Sequence, residues 1–350
     1  VVLGLDAAAF EKGLSDAERE LARSTRKLEK MGQRVETIGK SISIGITLPI
    51  LAVGGAALGM AAKFESAMNR VEAATQASGK QLEALKQQAI AFGKDRNFTA
   101  TAAESADVME MLAKNGLNVQ QILGGATEAT LKFAAANGAE FAPSADAVTD
   151  ILQQFGRDVS ELPGIVDKMT GAMLVSKMGF DDYRAAIGQA GGVAGGTGQS
   201  FEDMNVVLAA TSSLFSSGSD AGTSYKTFLT TLPGKSKQAK EAIAQYGLSF
   251  YDAQGNMRSM GEIAQELQTK LGGLSDQAKS EVLTEIFGTD AMRTAIGLMN
   301  QGADGLARLS TEINKASAQT QMEARMKGWS GAITQVRKSF EAAAIAPGDS

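Results

Sequence analysis

Four places in the chain carry residue types that could do chemistry. Gly191-Gly192-Val193-Ala194-Gly195-Gly196-Thr197-Gly198 is rich enough in glycine to cradle a phosphate. A P-loop also needs Gly-Lys-Ser/Thr after its spacer, because the lysine reaches the phosphates and the hydroxyl holds magnesium, and neither follows. A dinucleotide fingerprint needs a preceding strand, whereas Tyr183, Ala186 and Ile187 fall at helical spacing. The stretch is therefore expected to be a flexible hinge between helix pairs. Asp252-Ala253-Gln254-Gly255-Asn256 resembles a calcium loop but lacks the alternating acids and the late bidentate glutamate, so a hairpin turn is expected. Asp181-Asp182 and Glu202-Asp203 could supply an acid/base pair. Both precede apolar helical stretches, where acids favour the positive end of the helix dipole. Between Arg23 and Lys40 lie six basic and two acidic side chains. They could touch phosphate or anionic lipid, or form the solvated face of a coiled coil.

Composition narrows these options further. The 350 residues include no cysteine and no histidine. This removes disulfide frameworks, thiolate nucleophiles, the commonest general base and the commonest transition-metal ligand. The net charge of −5 argues against a dedicated nucleic-acid binder. With 44% hydrophobic residues the chain can bury a sizeable core. The expectation is a protein that is not an enzyme, with no cofactor and no bound metal. The start at Val1 and the end at Ala346-Pro347-Gly348-Asp349-Ser350 read as a fragment of something longer.

The elements that must carry these residues are mainly α-helical. Over residues 1–40 the apolar positions Phe10, Leu14, Ala17, Leu21, Leu28, Met31, Val35 and Ile38 alternate steps of four and three, interrupted only at Ser24. That spacing predicts a coiled-coil-like helix whose stripe is a self-association seam or packs on its own domain. Residues 41–62 carry no charge between Lys40 and Lys63. The segment is long enough for a bilayer and contains the Gly55-x-x-x-Gly59 step. Pro49 and its other glycines make it only mildly hydrophobic, so helix packing or conditional membrane activity is expected rather than a permanent span. From 63 to 316 short helices alternate with glycine-marked turns, giving a core of short antiparallel helices. Leu248-Ser249-Phe250-Tyr251-Asp252 and the return at Met257-Arg258 predict one small β-hairpin near 248–258. Residues 317–350 are expected to begin a further helical segment, with a boundary near Lys315.

The order of motifs in this core resembles that of phage tail tape-measure proteins. Phe64-Glu65-Ser66-Ala67-Met68, with Val71 and Ala74-Thr75, is similar to the family's opening motif. Phe98-Thr99-Ala100, Met111-Leu112-Ala113, Gly116-Leu117 and Ile122-Leu123 follow. Then come Ala147-Val148-Thr149-Asp150 with Phe155-Gly156, Gly222-Thr223 with Leu229 to Pro233, and the 248–260 stretch. Most specific is Ile286-Phe287-Gly288-Thr289-Asp290-Ala291-Met292-Arg293, leading to Leu298, Gly302, Gly305-Leu306 and Leu309. The resemblance spans about residues 40–320; Gly191–Gly198 is richer in glycine than the family's central turn.

The resemblance implies a virion structural protein of a long-tailed phage. Such a protein would lie in the tail tube or at its tip, set tail length during assembly, and leave ahead of the DNA at infection. Its implied partners are a small homo-oligomer of itself, about three to six copies, tail tube and tip proteins, and assembly chaperones. The end of the phage DNA would be met in passing, and the host membrane during ejection. A fully helical chain of this length would measure only about 500 Å, so a longer extended ruler is expected elsewhere in the protein. Two other readings stay open: a membrane-inserting, pore-forming helical protein that uses 41–62, and a carboxylate-type hydrolase.

Overall fold

The computed structural model describes residues 49–327 and 329–345. The Phe10–Ile38 stripe and residues 41–48 of the uncharged segment lie outside the described residues. The described chain is mainly helical, as expected. α1 (Pro49–Thr75) runs without interruption through Lys63 and joins the uncharged segment to the core. It is followed by α2 (Lys80–Lys94), α3 (Ala102–Lys114), α4 (Thr127–Asn137), α5 (Phe141–Gln154), α6 (Leu162–Val175) and α7 (Phe180–Gly196). The later helices are α8 (Phe201–Thr211), α9 (Gly218–Thr231), α10 (Lys237–Gln245), α11 (Met260–Leu271), α12 (Asp276–Asn314), α13 (Ala318–Arg325) and α14 (Trp329–Ile345).

Side-chain caps set many of the starts. Thr101 opens α3 with a reciprocal capping box: its hydroxyl accepts from the Glu104 amide while the Glu104 carboxylate accepts from the Thr101 amide at 2.9 Å. Asn118 with Gln121, Asp158 with Glu161, and Ser259 with Glu262 repeat the device. Each box satisfies two amides that a helix start would otherwise leave bare. Ser200, Ser217, Ser236, Ser275 and Ser317 cap α8, α9, α10, α12 and α13 with the hydroxyl alone.

Neighbouring helices pack in a continuous series. α3 lies against α1, α2 and α5; α5 lies against α7, α7 against α9, and α9 against α12. α12 also collects α6, α8, α10 and α11. α12 is a run of 39 residues broken at Gly288 (φ 71°, ψ 175°) and Gly302 (φ 60°, ψ −174°). Both values fall where a side chain is strained, so glycine is what allows the run to bend twice. The last two helices return to the first half of the core, α13 onto α4 and α6, and α14 onto α1, α2 and α3.

Two expectations need correction. No strand occurs among the described residues, and the predicted hairpin at 248–258 reduces to one antiparallel bridge, Tyr251 to Met257. Two backbone bonds close it, from the Asp252 amide to Asn256 O at 2.9 Å and from the Arg258 amide to Phe250 O at 3.0 Å. The Asp252 carboxylate accepts from the Gln254 and Asn256 amides and winds the segment into a turn too tight for a ladder. Gly191–Gly196 is not a hinge but the second half of α7. Gly191 and Gly195 are one helical turn apart, on the face that meets the end of α5. A Cβ there would sit 1.8 Å from Gln154 Oε1 and 1.9 Å from Gln154 O respectively. On the neighbouring contact, Gly218 and Gly222 of α9 meet the Asp182 and Ala186 carbonyls of α7, where a Cβ would come within 1.8 and 2.4 Å.

These contacts yield a controlled comparison. Gly222→Ala forces two backbones apart and is expected to cost about 1–3 kcal/mol. Gly192→Ala, in the same helix as Gly191 but with nothing within 4 Å of the added carbon, should leave stability unchanged or raise it by about 0.5–1 kcal/mol. Urea unfolding of the two variants checks the difference in sign.

Candidate functional site

The carboxylate pairs nominated from the sequence sit in first turns, Asp181 and Asp182 on α7 and Glu202 and Asp203 on α8. Asp181 is exposed, and the other three carboxylates are already engaged. Asp182 Oδ1 accepts the Gly218 amide at 2.8 Å, tying the start of α9 to α7. Glu202 receives Arg157 Nη2 at 2.7 Å and Lys168 Nζ at 2.6 Å. Burial would raise its pKa, but the Lys168 hydrogen bond and the two nearby cations hold it below the ordinary glutamate value. Asp203 is raised by burial. No member of either pair faces the other across a cleft, as acid/base work would require. The Asp252 carboxylate accepts from its own turn, including Asn256 Nδ2 at 3.1 Å, and is lowered by those bonds. Among the described residues, no group of three or more acidic side chains could hold a metal ion.

Polar groups inside the core join helices. The Tyr183 hydroxyl donates to Asn205 Oδ1, linking α7 to α8, with both residues fully buried. Burial pushes the Tyr183 and Tyr225 phenols far up, so both stay neutral. Ser224 Oγ donates to Asp290 O at 2.6 Å and lies 2.8 Å from Thr294 Oγ1, joining α9 to the middle of α12. Asn115 Nδ2 donates to Asp146 Oδ1 and Thr149 Oγ1, both at 2.9 Å, from the end of α3 to α5. On α1, Arg70 pairs with Asp107 and Glu110 of α3. Burial works against Glu110, yet its bonds to Lys114 and Arg70 hold it low.

The most concentrated polar contact was not legible in the sequence. α14 grips the α2–α3 connection through four side chains. Lys338 Nζ donates to Asp95 O and to Phe98 O, the second at 2.6 Å. Glu341 Oε1 accepts the Ala103 amide at 2.8 Å, Arg337 bonds Glu104, and Gln335 Nε2 donates to Arg96 O at 2.8 Å. Lys338 and Glu341 are 2% and 7% exposed. The apolar residues that recur at three- and four-residue steps in this segment, Met322, Met326, Trp329, Ile333, Val336 and Phe340, include neither. The missing signal was that the uncovered turn at 95–101 needs donors for its carbonyls.

The motif residues separate into two places. Phe64 and Met68 are buried on the inner face of α1, with Glu65 exposed beside them. Phe287 is buried in α12, stacked on Phe228 at 5.0 Å and tilted against Phe250 at 6.1 Å. Gly288 makes the break that follows, and the Arg293 guanidinium lies 5.0 Å over the Phe215 ring. Pro49 and Gly55 belong to the first half of α1. Gly59 is exposed, with nothing within 4 Å of where a Cβ would be, so it meets no helix among the described residues. Among those residues, no helix is long and apolar enough to cross a membrane.

Comparison with known proteins gives this arrangement a family. The sequence matches the family described as phage-related minor tail protein over residues 86–288, from α2 to the first break in α12. The chain belongs to that family. Within the phage-related minor tail proteins, the matched region holds the whole glycine-packed series from α3 to α9. The chain is also 27% identical over 346 residues, 97% of its length, to a protein of Pneumococcus phage Dp-1 named tape measure protein. It is 28% identical over 239 residues, 68% of its length, to a probable tape measure protein of Escherichia phage P2. The chain spans 30% and 29% of those two relatives. No solved structure matches it.

The α14 contact generates a pH prediction. Burial pushes the Lys338 ammonium down to about 8, against the pull of Asp95, Glu104 and Glu341. An unfolded lysine titrates near about 10.4, so between those values the unfolded chain binds the extra proton. Stability should therefore rise as pH climbs from about 8 to about 10.4, and below that window the buried charge is carried at a cost. NMR of the lysine side chains, with the Lys338→Arg variant to assign the signal, should show one amine titrating near pH 8, ahead of the rest.

Proposed function

We propose that this region is the compact helical core of a tape-measure-type structural component of a phage tail. The observation that carries this reading is family membership across the α2–α12 packing series, together with two relatives named for the tape measure. The chemistry supports a structural role. Of the carboxylates nominated for catalysis, Asp182 and Glu202 are engaged in joining helices.

On this reading the protein sits in the tail, inside the tube or at the tip, as a small homo-oligomer associating through the Phe10–Ile38 stripe. Tube and tip proteins and assembly chaperones contact it. It sets tail length through parts of the protein outside this core and leaves ahead of the DNA. Its net negative charge limits adhesion to DNA during passage. Contact of the 41–62 segment with the host envelope belongs to that last step.

Cryo-electron microscopy of the intact particle, masked on the tail lumen and tip, tests the proposal. Helical density for several symmetric copies is expected, with this core recognisable by the double break of α12. An empty lumen, or recovery of the chain only with host membranes, overturns it.

A further inference from the structure

α12 is bent at two glycines, yet its sequence suits a single helix. No proline lies between Asp276 and Asn314. Leu283, Phe287, Ala291, Leu298, Leu306 and Ile313 are all buried and come from all three segments of the run. Wound at 3.6 residues per turn without a break, they would share one stripe about 140° wide. Only Gly288 and Gly302 leave helical dihedrals, each for a region that glycine alone enters readily. What keeps the run bent is therefore tertiary, and at Gly302 its agents can be named.

A continuous helix would join Met299 O to the Ala303 amide, the i to i+4 pair that spans Gly302. Here α11 takes both halves. Gln268 Nε2 donates to Met299 O at 3.1 Å, and Gln265 Oε1 accepts the Ala303 amide at 3.4 Å. The two glutamines are three residues apart, so they project from one side of α11 onto the break. Gln268 also fills the space over Gly302, where a Cβ would lie 2.5 Å from its Oε1. At Gly288, by contrast, nothing lies within 4 Å of where a Cβ would be.

We infer that α12 is a two-state element. Clamped by Gln265 and Gln268 it is bent at Gly302; released from them it closes the Met299–Ala303 bond and runs straight through that point. The clamped form is the resting one, because two side-chain bonds and the packing of α11 stand against one backbone bond. Release gives up that packing and the approach of Ile313 O to Gly171 of α6. It gains a helical bond and relieves the Gly302 backbone. Straightened at both glycines, the run would be a rod of about 58 Å. The inference concerns the free chain and stands apart from the tail reading.

The chain has no cysteine, so a pair of spin labels reports one distance. In the 350-residue chain, Thr289→Cys and Arg308→Cys put labels at exposed positions on either side of Gly302. Their α-carbons would be about 29 Å apart in a straight helix. The parent should give a single, shorter distance by double electron–electron resonance. Gln265→Ala with Gln268→Ala and Gly302→Ala should add a component near the straight distance, at least several-fold above its level in the parent. Labels at Thr289→Cys and Asn300→Cys, on one segment, should read the same in both backgrounds. A parent already at the straight distance, or a variant that keeps the parent's distance alone, would overturn the inference. So would a variant whose distances broaden as helix is lost by circular dichroism, since the glutamines would then hold the fold rather than the bend.

Discussion

The rest of the fold depends on α7 touching two neighbours backbone to backbone. On one side its own Gly191 and Gly195 admit the end of α5; on the other, Gly218 and Gly222 of α9 admit the α7 carbonyls. At Gly195, Gly218 and Gly222 backbone meets backbone, and at Gly191 the Gln154 carboxamide takes the place of a Cβ. The helix axes are therefore closer than ordinary side-chain packing allows. Dispersion between close-packed backbones is gained there. Each helical glycine costs about 0.5–1 kcal/mol relative to alanine, and the close approach offsets that penalty. The Asp182 bond to the Gly218 amide forms only because that approach exists, and the fully buried Tyr183–Asn205 bond next to it braces α8. The same device recurs where Gly171 of α6 admits the Ile313 carbonyl of α12.

The interior is correspondingly short of large rings, with aromatic residues at 5% of the chain, and it uses polar joints that bulkier cores avoid. Ser224 with Thr294, Asn115 with Thr149, and Asn137 with Thr170 each join two helices at 3.1 Å or less. A buried polar group stripped of its partner costs more than the bond itself contributes, so such joints specify register. This also accounts for the fate of the carboxylates. Set at helix starts and, apart from the exposed Asp181, met by amides or cations, they are structural anions.

Local signals were largely legible in the sequence. The caps at Thr101, Asn118 and Asp158 are of the kind a sequence shows directly, because a cap is decided within four residues. The glycine run at 191–196 was misread because composition reports only that a backbone may bend. Whether it does bend depends on a neighbour, and the deciding neighbour was Gln154, some forty residues away. The Asp252 turn was located correctly, but ladder length depends on what pairs beyond the turn. Lys338 and Glu341 carry no local signal, because periodicity cannot see the bare carbonyls and amide of a distant loop. The break at Gly288 fell inside the motif judged most specific, yet nothing around it announced that one helical run would bend there.

The return of α14 to α1 has a consequence for how this core behaves within a longer polypeptide. The chain enters the described region along α1 and leaves it along α14, and these two helices touch. An intact core is therefore a pendant loop. Ile345 lies beside Ala61 and Phe64, twelve to fifteen residues along α1 from Pro49, so the core adds only about 20–25 Å to the end-to-end distance. Drawn out as helix, the same residues would add about 1.5 Å each. Tension applied at the two ends would fall first on the Lys338 and Glu341 contacts, which act as a latch on several hundred ångströms of stored contour length.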